Sequence, residues 1–118
     1  ICAPRIGQEA ALAGLLHATE WRTEQAARIG ERHKQFQMVM APSPGGYELL
    51  SSGAYFGWVR HPHDLVGSLD VVADLLDQKD ILVIPGTAFT PTDERMLRLS
   101  FANLSEPEIY ELAVRLAE

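Results

Sequence analysis

The chain has 118 residues, a net charge of −6 and a hydrophobic share of 47%. That length supports one core rather than two. The acidic balance argues against nucleic-acid binding, which needs a basic face. No apolar run approaches the length of a membrane span and no signal peptide is visible, so a cytoplasmic protein without a membrane partner is expected. The single cysteine, Cys2, excludes an intrachain disulfide and fits a reducing compartment. Nothing near it in the sequence would activate the thiol, so it reads as a small apolar residue near a terminus. The first residue is Ile1 and not Met, from which missing residues or a longer parent polypeptide are expected.

Pro4 suits a helix's first turn, where its missing N–H does no harm. Ile6 to Ala18, rich in Ala and Leu, reads as a helix that is apolar over more than one face and wants partners on both sides. Thr19 reads as an N-cap or a kink, and Glu20 to Met40 as a second, longer helix. Trp21, Ile29, Phe36 and Met40 recur there at near-helical spacing, opposite a charged face. Pro42, Pro44, Gly45 and Gly46 end the helix. Tyr47–Leu50 reads as a short edge strand and Ser51-Ser52-Gly53 as a turn.

Ala54–Arg60 (AYFGWVR) has the aromatic and Val density of a central strand, with Gly57 marking a close approach to the backbone. His61-Pro62-His63 leaves it. Gly67-Ser68 offers an N-cap, and Leu69, Val72, Ala73 and Leu76 form an apolar helical stripe, with Asp70 placed for the dipole. Ile81–Ile84 is a fully apolar run of the kind a buried strand uses, stopped by Pro85-Gly86. Met96–Phe101 alternates: Leu97, Leu99 and Phe101 on one face, Met96, Arg98 and Ser100 on the other. Ser105-x-x-Glu108 is a capping box, and Ile109, Leu112, Ala113 and Leu116 repeat the stripe in a final helix.

The expected fold is α+β: a two-layer domain with a small, largely antiparallel sheet of three or four strands and helices on one face, preceded by a long or kinked N-terminal helix. The face bearing Arg98 is left for solvent or for another body of protein. An outward arginine on a strand is ordinarily a solvated residue. Its planar donor fork also matches a carboxylate bidentately, as no lysine can, and a strand is a rigid mount for it. His61 and His63 have the spacing of a metal pair but no third ligand at short range, so no metal site is expected. His17 and His33 read as helix-surface or contact residues. Asp74, Asp77 and Asp80 read as a wet face without a calcium-loop pattern. There is no nucleophile elbow, phosphate loop or C-x-x-C. On these residues alone the chain carries no complete catalytic constellation.

Taken together, GAYFGWVR at Gly53–Arg60, an apolar helix, ILVIPGTAF at Ile81–Phe89, LRLSFA at Leu97–Ala102 and a final helix ending AVRL resemble the C-terminal small domain of the class I/II aminotransferases, the fold-type I pyridoxal-phosphate enzymes. The opening APRIGQEAAL at Ala3–Leu12 is similar to the segment that joins their large and small domains, so residues 1–18 are expected to be an interdomain helix. The resemblance covers nearly the whole chain. It implies that Arg98 binds the substrate α-carboxylate. It also implies a parent enzyme, usually a homodimer, that transfers an amino group from an amino acid to a 2-oxo acid with pyridoxal phosphate. The family's catalytic lysine, the aspartate facing the pyridine nitrogen and the phosphate-binding loop belong to the large domain, which is absent here. Lys34, on a charged helix face, and Lys79, in a helix–strand connection, lack the Ser/Thr-x-x-Lys setting of that lysine. The chain alone is therefore expected to be catalytically inert, with no bound cofactor, and its first helix to leave apolar surface bare that drives association. Two other readings stay open: a stand-alone α+β sensing or interaction module, and the small domain of another fold-type I enzyme, a lyase, decarboxylase or synthase.

Overall fold

A computed structural model of the chain describes residues 2–118. It divides into two compact units, Ile1–Gly30 and Glu31–Glu118. The first unit holds helix α1 (Arg5–His17) and the opening turns of helix α2 (Thr19–Met40). Ala18 interrupts the two helices. Thr19 is thus the first residue of the second helix, one position earlier than the expected start. No residue of α1 is buried, and Ile6, Leu12, Leu15 and Leu16 are all exposed, as an apolar helix without partners would be.

In the second unit, strands β1 (Glu48–Gly53), β2 (Phe56–Arg60), β3 (Ile84–Pro85) and β4 (Met96–Ser100) form one sheet in the order β1-β2-β4-β3. Every neighbouring pair is antiparallel. Helices α3 (Ser68–Lys79) and α4 (Glu106–Ala117) complete the α+β domain. The core gathers Phe36 and Met40 of α2, Val59 of β2, Leu97 and Leu99 of β4 with Phe101 just beyond it, Val71 and Leu75 of α3, and Ile109, Leu112 and Leu116 of α4. β4 is the alternating strand expected of its sequence. Its one departure is Met96, which is buried because the loop beginning at Gly86 folds over it.

Four local expectations are corrected. Ser51-Ser52-Gly53 is strand, not turn: it pairs with Gly57 and its neighbours after a bulge between Leu49 and Ser51, and the reversal falls at Ala54-Tyr55, with Ala54 left-handed. Ile81–Ile84 is not a buried strand throughout. Ile81 and Val83 are buried, Leu82 is 77% exposed, and only Ile84–Pro85 joins the ladder. An apolar run with one covered side buries alternate residues only. The inward stripe of α3 is Ser68, Val71 and Leu75, with Val72 half-buried, whereas Leu69, Ala73 and Leu76 are exposed. The run of Val and Leu offers two overlapping stripes, and small Ser68, whose hydroxyl meets that of Thr87 at 3.3 Å, admits the first. Lys79 ends α3 and does not lie in the connection after it.

The helix termini are closed by specific donors. The Ser105 N–H and hydroxyl both donate to the Glu108 carboxylate at 2.6 Å, holding that carboxyl below its usual range. The Lys79 ammonium donates weakly to the Leu116 carbonyl at 3.5 Å, and the Arg115 guanidinium donates to the Lys79 carbonyl at 3.2 Å. Cations at the C-terminal ends of α3 and α4 thereby serve each other's last carbonyls. Gly45, left-handed at φ 58°, lies directly beneath the Leu116 carbonyl, leaving no room for a Cβ.

Gly57 has the same kind of constraint on the sheet. A Cβ there would stand 2.5 Å from the Phe36 ring, which is itself stacked on Phe101 with centroids 5.2 Å apart. Gly57→Ala is therefore expected to destabilise the chain by about 1–3 kcal/mol through overpacking. Urea denaturation should register that loss, and adding Phe36→Leu should recover part of it.

Candidate functional site

The face opposite the core is built on the pairing of β2, β4 and β3. Trp58 stands opposite Arg98 on one side and Ile84 opposite it on the other, while Phe56 stands opposite Ser100. Directly paired residues share a face, so Phe56, Trp58, Ile84, Arg98 and Ser100 line one surface. Beyond β3 the chain makes a short 3-10 turn, Gly86–Ala88, and Phe89 follows it. Gly86 is packed against Met96 and the Asp93 carbonyl, leaving no space for a side chain, which keeps this loop against the sheet.

Phe89 is thereby brought over Arg98. The guanidinium carbon lies 4.3 Å from the Phe56 ring centroid and 4.6 Å from that of Phe89. Trp58 meets Phe89 edge-on at 5.8 Å. Two ring faces against one guanidinium fix its plane through cation–π attraction and cover its apolar faces, leaving its N–H edges to a ligand. Arg98 is half-buried. Among the described residues, none of the ion pairs or side-chain hydrogen bonds engages it. The outward arginine expected from the alternation of β4 is thus a cation held by aromatics and unpaired among the described residues. Phe89 is a member of this arrangement that alternation could not reveal, because it comes from a loop. Its only sequence signal is its place after Pro85-Gly86.

The other candidates fall elsewhere. His61 is fully buried; its Nε2–H donates to the Glu94 carbonyl at 3.1 Å, while Nδ1 has no partner. His63 packs beside it, with ring centroids 5.9 Å apart. No group of three or more metal-ligating side chains occurs among the described residues. His33 of α2 stacks on Phe101 and bonds Ser52 through Nε2 at 2.7 Å, a contact residue at the sheet. Lys34 pairs with Glu31 at 2.8 Å on an exposed face. A cavity of about 260 Å³ opens between Ile81–Val83, Leu99 and α4. In its lining Arg115 is paired with Glu111 at 2.9 Å and Glu108 is held by Ser105. No helix among the described residues is long and apolar enough to cross a membrane.

Comparison with known proteins agrees with this architecture. No curated protein matches the sequence. Among solved structures, an aminotransferase from Staphylococcus aureus is 28% identical with a TM-score of 0.78, over 93% of this chain and 28% of that one. An aminotransferase from Mycobacterium tuberculosis superposes with a TM-score of 0.81 at 22% identity, over 98% of this chain and 30% of that one. A putative PLP-dependent β-cystathionase from Corynebacterium diphtheriae gives 0.78 at 20% identity, over 99% and 31%. At those two identities the likeness is one of fold alone. The chain spans less than a third of the length of these structures. Residues 1–116 match the family model for aminotransferase class I and II, and the chain belongs to that family.

Proposed function

We propose that this chain is the C-terminal, substrate-carboxylate-binding domain of a pyridoxal-phosphate-dependent aminotransferase, acting on an amino acid and a 2-oxo acid. The observation that carries the reading is the state of Arg98: half-buried, clamped between Phe56 and Phe89, and without a carboxylate partner among the described residues. A guanidinium so placed offers two parallel N–H donors to the α-carboxylate common to both substrates. The aromatic clamp removes the side-chain freedom that would otherwise be lost on binding, and it sheds water from the guanidinium faces. Fixing the carboxylate fixes the direction of the Cα–H bond, which is what amino-group transfer requires of a substrate-positioning residue.

The cofactor does not fit the residues of this chain. The Lys34 ammonium is engaged with Glu31, and that of Lys79 with the Leu116 carbonyl beside α4. Neither stands on the face that carries Arg98. Pyridoxal phosphate and its lysine would come from a large domain outside these residues, and the parent would be a homodimer. The domain by itself is then inert. A second reading, the small domain of another fold-type I enzyme such as a lyase, is compatible with the fold that the chain shares with the putative β-cystathionase. Both readings keep Arg98 as the carboxylate clamp and differ only in chemistry supplied from elsewhere.

Two outcomes are expected. In the aminotransferase that carries this chain, Arg98→Ala should cost about 2–5 kcal/mol in kcat/KM for carboxylate substrates. Arg98→Lys should restore only part of that loss, because a point charge lacks the donor fork. Unchanged kcat/KM would remove Arg98 from the site. Separately, incubating the 118-residue chain with pyridoxal phosphate and reducing with borohydride should give no stoichiometric adduct at either lysine by mass spectrometry. Specific labelling of Lys34 or Lys79 would contradict the inert-domain reading.

A further inference from the structure

The loop from Gly86 to Arg95 supplies half of the aromatic clamp, and it is tied down at both ends. At its start, Phe89 N–H and Thr90 N–H both donate to the Gly86 carbonyl, at 2.8 and 3.0 Å. At its end, the loop is fastened to His61 by three bonds. The His61 backbone N–H donates to the Arg95 carbonyl at 3.0 Å, the His61 Nε2–H donates to the Glu94 carbonyl at 3.1 Å, and the Arg95 guanidinium donates to the His61 carbonyl at 2.9 Å. Arg95 also pairs with Asp64. His61 follows β2 directly, so one residue joins the end of that strand to the end of the loop.

Two polar atoms in this clasp are buried without partners: His61 Nδ1 and Arg95 Nε. The first is informative. Donation from Nε2 to a carbonyl leaves Nδ1 as a bare lone pair, so the clasp is built around a neutral imidazole. A proton added at Nδ1 would create a buried N–H with no acceptor. It would also place a second cation beside Arg95. The charged and titratable groups facing the ring are His63, Arg95 and Asp64, with Tyr47 packed beyond on His63; only Asp64 favours the charged form.

We propose that His61 is a positioning residue for Arg98: its clasp on Glu94 and Arg95 holds the Gly86–Arg95 loop so that Phe89 stays on the guanidinium, and protonation of His61 releases it. The role assigned to Arg98 rests on the carboxylate-binding reading above; the clasp itself does not. Burial, with help from His63 and Arg95, holds the His61 imidazolium below its ordinary range despite the Glu94 bond and Asp64. The sign follows. As pH falls below about 6.5 the unfolded or released state takes up the proton first, so the clasp weakens from there down to the folded-state value and loses nothing further below it.

The chain contains two tryptophans, and Trp58 touches Phe89 while Trp21 lies in the first unit. Trp21→Phe therefore leaves Trp58 as the sole reporter. In that background, lowering the pH from about 7.5 to about 4.5 should change Trp58 emission, with far-UV circular dichroism retained and a midpoint below about 6.5. His61→Gln keeps an amide donor for Glu94 but cannot be charged, and should abolish the transition. His63→Gln should keep it. An acid transition that survives His61→Gln, or that vanishes with His63→Gln, overturns the proposal. In the aminotransferase that carries the chain, KM for the amino acid should rise about tenfold across the same window with kcat little changed, and His61→Gln should flatten that profile. A His61-dependent emission change with a KM indifferent to Arg98→Lys would retain the clasp and refute the carboxylate reading. A KM that depends on Arg98, with no His61-dependent emission change, would do the reverse.

Discussion

The structure depends on the register of one strand. In β4 the residues Leu97 and Leu99 turn inward and Arg98 turns outward, with Phe101 continuing the inward set. A slip of a single position would drive the guanidinium into the core and bring two leucines to the surface. Burying an unpaired cation is costly enough that such a state is not a competitor. The same alternation that anchors the sheet to its helices therefore also fixes the direction in which the cation faces. Packing and site are two sides of five residues.

Around that strand the molecule separates the two tasks cleanly. On the inner side the contacts are apolar and tight, as at Gly57, where the Phe36 ring occupies the space of a missing Cβ. On the outer side they are aromatic and electrostatic, with Phe56, Trp58 and Phe89 gathered about one guanidinium. Cation–π contact is well suited to this position. It holds the group in one plane without neutralising it, whereas an internal carboxylate would compete with any acidic ligand.

What the sequence discloses divides along physical lines. The alternation of Met96–Phe101 and the Ser105–Glu108 cap were readable because each depends on neighbours a few residues away, and the close approach at Gly57 because a lone glycine stands in a run of strand formers, although its partner Phe36 comes from α2. The inward stripe of α3 was not, because Val71/Leu75 and Val72/Leu76 are equally apolar and only the fit of Ser68 against Thr87 separates them. Ile81–Ile84 misled because four apolar residues suggest two covered sides, whereas here a single covered side takes Ile81 and Val83 and leaves Leu82 out. Arg98 was legible as an outward cation, and the family resemblance pointed to its ligand. Phe89 and His61 were not legible as parts of its setting. Both contacts close long loops, across strands that local pattern cannot bring together.

The reciprocal closure of α3 and α4 has a consequence for biosynthesis. Lys79 reaches Leu116, Arg115 reaches back to Lys79, and Leu116 sits on the Gly45 turn. The seam that seals the helical layer thus joins α3 to α4. During translation α4 leaves the ribosome after all four strands, so until Ile109, Leu112 and Leu116 arrive the sheet is covered only in part, by residues of α2 and α3. Such a domain has a window of vulnerability to aggregation that a chaperone, or a neighbouring body already folded upstream, would have to shield.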